Sequence, residues 1–163
     1  MSLSRRLLFG RDPRRTFVRV GVLAAMSFVI FRWLMIPIRT QGISMLPTYR
    51  SGTLNLVDRV TYHFTPPHRG DVIAIRLAGP RVVYVKRIVG LPGERVAFVQ
   101  GQVQIDGAPL PEPYVRNRRP WNVGEVTLGP HEYFVVGDNR GMNAGDHDFG
   151  RVEAARIMGK VVF

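Results

Sequence analysis

Gln41-Gly42-Ile43-Ser44-Met45-Leu46-Pro47-Thr48 is the stretch around which the sequence is organised, and it follows the only long apolar run of the chain. Pro47 fixes its own φ and disfavours helical backbone at Leu46, while Gly42 permits a positive φ or a close approach of the backbone. We therefore expect Ser44 to lie on a tight, irregular bend that presents its hydroxyl. The alternative is an ordinary loop serine at the exit of a membrane helix.

The segment before this stretch predicts a membrane anchor. Residues 1–19 contain six arginines, at positions 5, 6, 11, 14, 15 and 19, against the single acidic residue Asp12. Residues 20–38 nearly meet the roughly 20 apolar residues that span a bilayer, with Arg32 and Trp33 suited to its interface. By the positive-inside rule the N-terminus is cytoplasmic. The chain thus divides into a basic cytoplasmic tail (1–19), a transmembrane anchor (20–38) and an extracytoplasmic domain (39–163).

A cleaved signal peptide is the alternative interpretation of the same segment. The apolar run at residues 20–31 has the length of the hydrophobic region of such a peptide. No small-x-small cleavage site follows it, because the next residues are Arg32-Trp33-Leu34-Met35-Ile36-Pro37. We therefore predict a retained single-pass anchor in the cytoplasmic membrane, with the lipid bilayer as a partner.

Composition narrows the kinds of site that the chain can build. The 163 residues include no cysteine, which excludes disulfides and thiolate metal sites. The formal net charge of +11 suits anionic lipid or nucleic acid. Six arginines lie before the apolar run and no nucleic-acid-binding motif is present, so we predict no nucleic-acid partner. Only Lys86 and Lys160 of the 23 basic residues are lysines, which makes each lysine a candidate for a specific role.

Beyond the anchor the sequence predicts a mainly β domain. Short segments rich in β-branched and aromatic residues alternate with Gly and Pro turns, which is typical of strands. The predicted strands are residues 53–57, 71–76, 81–89, 95–99, 103–105, 133–136 and 157–163. The proline-rich residues 108–130 are predicted to form an irregular excursion.

A serine and a lysine can together carry hydrolytic chemistry in such a domain. A serine hydroxyl needs a base, and a lysine amine can serve if burial lowers its pKa from about 10.4 toward about 7–8. The apolar Val82-Val83-Tyr84-Val85 before Lys86 offers such surroundings. The alternative is a lysine on an edge strand that faces solvent.

Four motifs occur in order along the chain: Ser44-Met45-Leu46-Pro47-Thr48, Gly70-Asp71-Val72-Ile73, Lys86-Arg87-Ile88-Val89-Gly90-Leu91-Pro92-Gly93-Glu94 and Gly137-Asp138-Asn139-Arg140. With these four motifs together, the chain strongly resembles the bacterial type I signal peptidases. The resemblance implies Ser44 as nucleophile, Lys86 as general base, and cleavage of signal peptides outside the membrane. It also implies a β fold shared with the repressor autoproteases, with a small cap inserted at about residues 97–131.

The chain departs from this family in its last motif. Members commonly continue with a serine that supports the lysine and an aspartate, where this chain has Asn143 and Gly145. Asp146 and His147 stand where the family has a second serine and an arginine. An asparagine carbonyl could hold the lysine amine. We therefore predict that Asn143 orients Lys86, against the alternative of an ordinary loop residue.

Further site residues follow from the same motifs. Asp146 is predicted to pair with Arg87 in place of the aspartate lost at Gly145. Gly42 cannot supply a side-chain oxyanion donor, so the hole would use main-chain N–H groups such as that of Ser44. The remaining predicted residues are the supporting Asp138, Asn139 and Arg140 and the substrate-pocket residues Met45, Tyr84 and Val85, with an extended substrate pairing beside residues 40–43 and 82–85.

Histidine offers a second interpretation that we consider weaker. His147 with Asp146 or Asp148 would suit a Ser-His-Asp triad, but the lysine motif matches the family too well to favour it. The other histidines, at positions 63, 68 and 131, are isolated, so no metal site is predicted.

The function predicted from the sequence is a membrane-anchored signal peptidase I that needs no cofactor. Its partners would be exported preproteins cleaved after small-x-small sites. One alternative is a specialised conjugation or pilus maturation peptidase of the same family. Another is a catalytically weakened, membrane-tethered binding protein, for which the altered last motif is the only argument.

Overall fold

The computed structural model describes residues 12–78 and 82–162, and it begins with a long apolar helix. Helix α1 spans Pro13–Val29, with Asp12 as N-cap accepting the Arg14 N–H at 3.1 Å and a proline in the first turn. One π-helical turn, Ile30–Leu34, follows. The segment Arg14–Leu34 has a mean hydropathy of 1.8 and is not covered by the rest of the protein, so it is long and apolar enough to cross a bilayer.

The helix and the first strand have different bounds from those of the predicted anchor, residues 20–38. The helix begins at Pro13, so part of the basic segment 1–19 is helical. Residues 35–38, predicted to lie in the span, instead belong to strand β1, Met35–Arg39, which pairs antiparallel with β2, Leu54–Asp58. The apolar β1 sequence fits both the end of a membrane helix and a strand, and only its pairing with β2 decides between the two.

The prediction of a mainly β domain is confirmed by two antiparallel sheets. The larger sheet contains β1, β2, β3 (Val72–Ala78), β4 (Val82–Gly90), β9 (Glu132–Val136), β10 (Gly150–Glu153) and β11 (Ile157–Val162), in the order β1-β2-β11-β3-β4-β9-β10. A short helix α2, Thr61–Phe64, follows β2. Strand β11 lies between β2 and β3, so residues 157–162 join these two strands into one sheet.

The second sheet lies between β4 and β9 in the chain. Its strands are β5 (Arg95–Val99), β6 (Gln102–Ile105), β7 (Ala108–Pro109) and β8 (Val123–Thr127), in the order β7-β6-β5-β8. The hairpin at residues 95–105 was predicted. Strands β7 and β8 were not, because they fall within the proline-rich residues 108–130, where little periodicity marks them.

Side chains that alternate along the strands pack into apolar clusters on both faces of the larger sheet. Ile73 and Ile75 pack with Ile88 and Val135 on one face. On the other face, one cluster surrounds Met45 and Val57, and another joins the two sheets. The cluster between the sheets consists of Val89, Val96, Phe98, Val103, Trp121, Leu128, Phe134 and Val136. This packing fixes β4, which carries Lys86, relative to both sheets.

Candidate active site

The structure brings Ser44 and Lys86 together from distant parts of the chain. Ser44 lies in the turn after β1 and Lys86 on β4, and Lys86 Nζ lies 3.1 Å from Ser44 Oγ. Lys86 is only 3% exposed. Burial lowers the pKa of the Lys86 amine, while the nearby carboxylate of Asp148 acts in the opposite direction. The pair therefore has the contact and the environment that a serine and its base require.

The turn that carries Ser44 is held at its base by polar contacts. Thr40 is buried, and its hydroxyl donates to the Arg50 carbonyl at 2.9 Å. The Gly52 N–H donates back to the Thr40 carbonyl at 2.7 Å. Gly42 adopts a φ of 89° and donates its N–H to the hydroxyl of Ser51 at 3.2 Å, which accounts for a glycine at this position.

Asp138 joins three of the four motifs. Its carboxylate accepts from the Thr48 hydroxyl at 2.5 Å and from Arg87 Nε and Nη2 at 2.8 and 2.6 Å. Thr48 belongs to the serine motif and Arg87 follows the lysine, so one buried carboxylate fixes both reactive segments. We call Asp138, Arg87 and Thr48 the carboxylate clamp. A bidentate arginine–carboxylate pair is among the most directional polar contacts in proteins.

Asn139 contacts the main chain beside the serine. Its N–H donates to the Ser44 carbonyl at 2.9 Å, and its side-chain amide donates to the Ile43 carbonyl at 3.1 Å. In the described part of the chain the Ser44 N–H itself has no hydrogen-bond partner. That N–H is therefore available as a donor to an oxyanion, as expected for a hole without a side chain at Gly42.

A cleft of about 500 Å³ leads to the Ser44–Lys86 contact. One wall comes from the end of β1 and the serine turn, and the other from the start of β4. The predicted pocket residues Met45, Tyr84 and Val85 all line it, together with Ile38, Arg39, Thr40, Gln41, Gly42, Tyr49 and Val83. The two walls contain the segments beside which we expected an extended substrate to pair.

The structure does not bring Asn143 into contact with Lys86, which was its predicted role. Its side-chain oxygen accepts from Arg119 Nη1 at 2.8 Å, and its amide donates to Asp146 at 3.0 Å. The residue is exposed and fixes the loop instead of contacting Lys86. The predicted Asp146–Arg87 pair is also wrong, because Arg87 binds Asp138 and Asp146 binds Asn143. Both errors came from assuming that the loop folds toward the lysine.

Arg140 supports the site from outside the cleft. Its guanidinium is buried, donates to the Gly137 carbonyl at 2.9 Å and forms an ion pair with the buried Glu112 at 2.5 Å. Tyr114, two residues further on, packs over the Arg87 guanidinium at 4.0 Å from its ring centroid. The two arginines thus anchor the inserted segment against the site, a contact that the sequence did not reveal because Glu112 lies in a stretch without local pattern.

His147 is buried beside the serine, but it does not bond the hydroxyl. It is 5% exposed, and burial lowers the pKa of its imidazole to about 4. The hydroxyl of Ser44 instead contacts Lys86. The geometry therefore gives no support to the Ser-His-Asp alternative. Residues 12–78 and 82–162 contain no group of three or more His, Asp or Glu side chains that could hold a metal ion.

The fold and the site define a mainly β protein with an N-terminal apolar helix and a serine–lysine contact at the end of a cleft. Residues 14–163 match the family described as Signal peptidase, peptidase S26. Signal peptidase I of Bacillus caldolyticus is 34% identical over 161 residues, which cover 90% of this chain and 86% of that protein. The chain therefore belongs to the signal peptidase family, peptidase S26.

Two further comparisons cover a smaller share of this chain. Signal peptidase I of Leptolyngbya laminosa is 35% identical over 127 residues, which cover 73% of this chain and 63% of that protein. The match thus spans less than two thirds of that relative's length. A crystal structure of a signal peptidase I from Enterococcus faecalis is 28% identical with a TM-score of 0.47, and the match covers 60% of this chain and 98% of that one.

Proposed function

We propose that this chain is a membrane-anchored signal peptidase I that cleaves signal peptides from exported preproteins with a Ser44–Lys86 dyad. The observation that carries the proposal is the 3.1 Å contact between Lys86 Nζ and Ser44 Oγ in a site where the lysine is 3% exposed. Membership of the signal peptidase family supports the substrate class.

The acylation step begins with neutral Lys86. As Ser44 Oγ forms a bond to the carbonyl carbon of the scissile peptide, its proton passes to Lys86 Nζ. The tetrahedral oxyanion accepts a hydrogen bond from the free N–H of Ser44, and Asn139 holds the main chain of Ser44 in place. The ammonium of Lys86 then gives its proton to the leaving amine as the carbon–nitrogen bond breaks, which leaves an ester on Ser44.

Deacylation uses the same base a second time. Neutral Lys86 takes a proton from water while the water oxygen bonds to the ester carbon. The proton then returns through Lys86 to Ser44 Oγ as the ester bond breaks. This releases the signal peptide as a carboxylic acid, which loses its proton to solvent. Each step needs a neutral lysine at its start, and this explains why the amine is buried.

The substrate would bind as an extended strand in the cleft. Its two walls, at residues 38–42 and 83–85, contribute main-chain edges to which a peptide can add as a strand. Met45, Tyr84 and Val85 would then contact alternate side chains of the peptide. The scissile carbonyl would lie at the end of the cleft where Ser44 and Lys86 meet.

We further propose that the catalytic domain lies on the outer face of the cytoplasmic membrane. The apolar segment Arg14–Leu34 suits a single span, and the arginines that precede it favour a cytoplasmic N-terminus. The site would then meet signal peptides as they leave the bilayer.

Cleavage of a generic preprotein by the purified full chain in detergent tests the dyad. We expect Ser44→Ala and Lys86→Ala to abolish cleavage, and Lys86→Arg to do the same because a guanidinium stays charged and accepts no proton. Lys160→Arg is the matched control. Lys160 pairs with Asp71 at 2.6 Å outside the cleft, and an arginine can keep that pair.

Two outcomes would contradict the proposal. Cleavage by Lys86→Arg at a rate near that of the wild type would exclude lysine as the base. Wild-type protein that binds preprotein without cleaving it would favour the membrane-tethered binding protein instead.

A further inference from the structure

The unexplained residue near the site is His147, a polar side chain enclosed by aromatic rings. Its imidazole meets Trp121 edge-on at 5.2 Å between ring centroids and lies 6.3 Å from Phe149. Within residues 12–78 and 82–162, neither ring nitrogen has a hydrogen-bond partner. A buried polar group without a partner costs free energy, and an apolar residue would fill the same space without that cost.

The imidazole lies against the main chain of the nucleophile. A Cβ built on Gly137 would overlap the Ser44 carbonyl oxygen and lie 2.5 and 2.7 Å from Cε1 and Nε2 of His147. The carbonyl and the ring therefore meet at the same small space, which only a glycine leaves open. The Ser44 carbonyl already accepts the Asn139 N–H at 2.9 Å, and its second lone pair is available.

The surroundings of His147 keep its imidazole neutral. Burial is the largest cause of its low pKa of about 4, and positive charge on Arg140 and, whenever it is protonated, on Lys86 lowers the pKa further. The nearby main-chain groups of Asp148 and Ser44 oppose this shift but do not reverse it. A neutral imidazole carries one N–H, which can donate a single hydrogen bond.

We propose that His147 is a positioning residue for the dyad: its neutral imidazole donates its N–H to the Ser44 carbonyl when substrate is bound. Together with the Asn139 N–H, this second donor fixes the peptide plane that follows the nucleophile. The hydroxyl then stays aligned with Lys86 Nζ during proton transfer. Hydrogen bonds of catalytic groups are often long in the free enzyme and tighten only when substrate binds.

This role differs from that of a base. The imidazole faces the carbonyl side of Ser44, whereas the hydroxyl lies 3.1 Å from Lys86. The proposal rests on the Ser44–Lys86 dyad proposed above, and it assigns to His147 the supporting function that Asn143 does not perform.

The test compares His147→Gln with His147→Leu in the full chain. The two side chains are similar in size, but only glutamine offers an N–H donor. We expect kcat for preprotein cleavage to be about 10-fold or more lower in His147→Leu than in His147→Gln, with KM within about twofold. Equal kcat values in the two variants would overturn the proposal, even if both variants are less stable than the wild type.

A second measurement uses the wild-type chain and so does not depend on the folding of a variant. The ring nitrogen resonances of the four histidines in the wild-type chain can be followed by NMR as the pH falls from 8 to 5. We expect one imidazole, that of His147, to keep the resonances of its neutral form throughout this range, because burial lowers its pKa to about 4. Uptake of a proton by all four histidines between pH 8 and pH 5 would overturn the neutral donor. A separate result would refute the dyad itself, namely preprotein cleavage that persists in Ser44→Ala.

Discussion

Replacing Asp138 by asparagine removes one charge from the carboxylate clamp and keeps the shape of the side chain. Asp138 has no exposed side-chain surface and Arg87 has 11%. The substitution would leave the Arg87 guanidinium buried without a counter-ion. Its remaining contacts would be the Gly70 carbonyl at 2.6 Å and the face of Tyr114 at 4.0 Å, both uncharged.

The structure sets the size of the expected effect. Removing one partner of a buried ion pair costs about 3–5 kcal/mol, because the other charge stays desolvated. For a domain of this length each kcal/mol lowers Tm by about 2–4 °C, so we expect a fall of about 6–20 °C in Asp138→Asn. The Thr48 contact also weakens, which loosens the serine turn and lowers kcat.

Thermal unfolding of the purified chain in detergent measures this effect. Trp121 is 5% exposed and provides a fluorescence signal from the junction of the two sheets. Arg151→Gln is the matched control, because the Arg151–Glu132 pair spans 3.8 Å and Arg151 is 57% exposed. An exposed pair contributes at most about 1 kcal/mol, so this variant should unfold within about 4 °C of the wild type.

A double substitution separates the pair from its individual residues. In Arg87→Met with Asp138→Asn, no buried charge is left alone, so the loss of stability should be smaller than the sum of the single losses by about 1–3 kcal/mol. Additive losses, or an Asp138→Asn variant with the Tm of the wild type, would refute the idea that this ion pair holds the site together.

Two other predictions concern pH and topology. The acidic limb of the kcat/KM profile should report the free-enzyme pKa of Lys86, below its ordinary value of about 10.4 because burial disfavours the ammonium. Since the Asp148 carboxylate favours the ammonium, Asp148→Asn should move that limb to lower pH, whereas Asp146→Asn, bonded to Asn143, should leave it in place; an unmoved limb in Asp148→Asn would contradict this. Protease added to spheroplasts should digest a tag after Phe163 and spare a tag before Met1, and the reverse pattern would place the catalytic domain in the cytoplasm.

Local pattern in the sequence was enough for the general architecture. An apolar run behind arginines predicted the anchor, and period-two alternation with Gly and Pro turns predicted most strands of the larger sheet. The family motifs pointed to Ser44 and Lys86, which the structure places 3.1 Å apart. Local pattern predicts these features because each depends on residues close together in the chain.

The errors occurred where the same local pattern fits two structures. Residues 35–38 are apolar enough to extend a membrane helix, yet they form half of an antiparallel pair with β2. Strand β8 lies in a proline-rich stretch and exists because β5 offers it an edge. Strand pairing is a contact between distant segments, so propensity alone cannot assign it.

The sequence by itself pointed to Ser44 and Lys86, to the mainly β class and to an apolar segment long enough to span a membrane. Only the tertiary structure decided which residues surround Ser44 and Lys86: Asp138 instead of Asp146 binds Arg87, Asn143 holds Arg119, and His147 faces the Ser44 carbonyl. The physical reason is that a buried charge or donor takes whichever partner the packed chain brings within about 3 Å. The path of the loop after Gly137 sets that distance, and no local pattern in the sequence specifies this path.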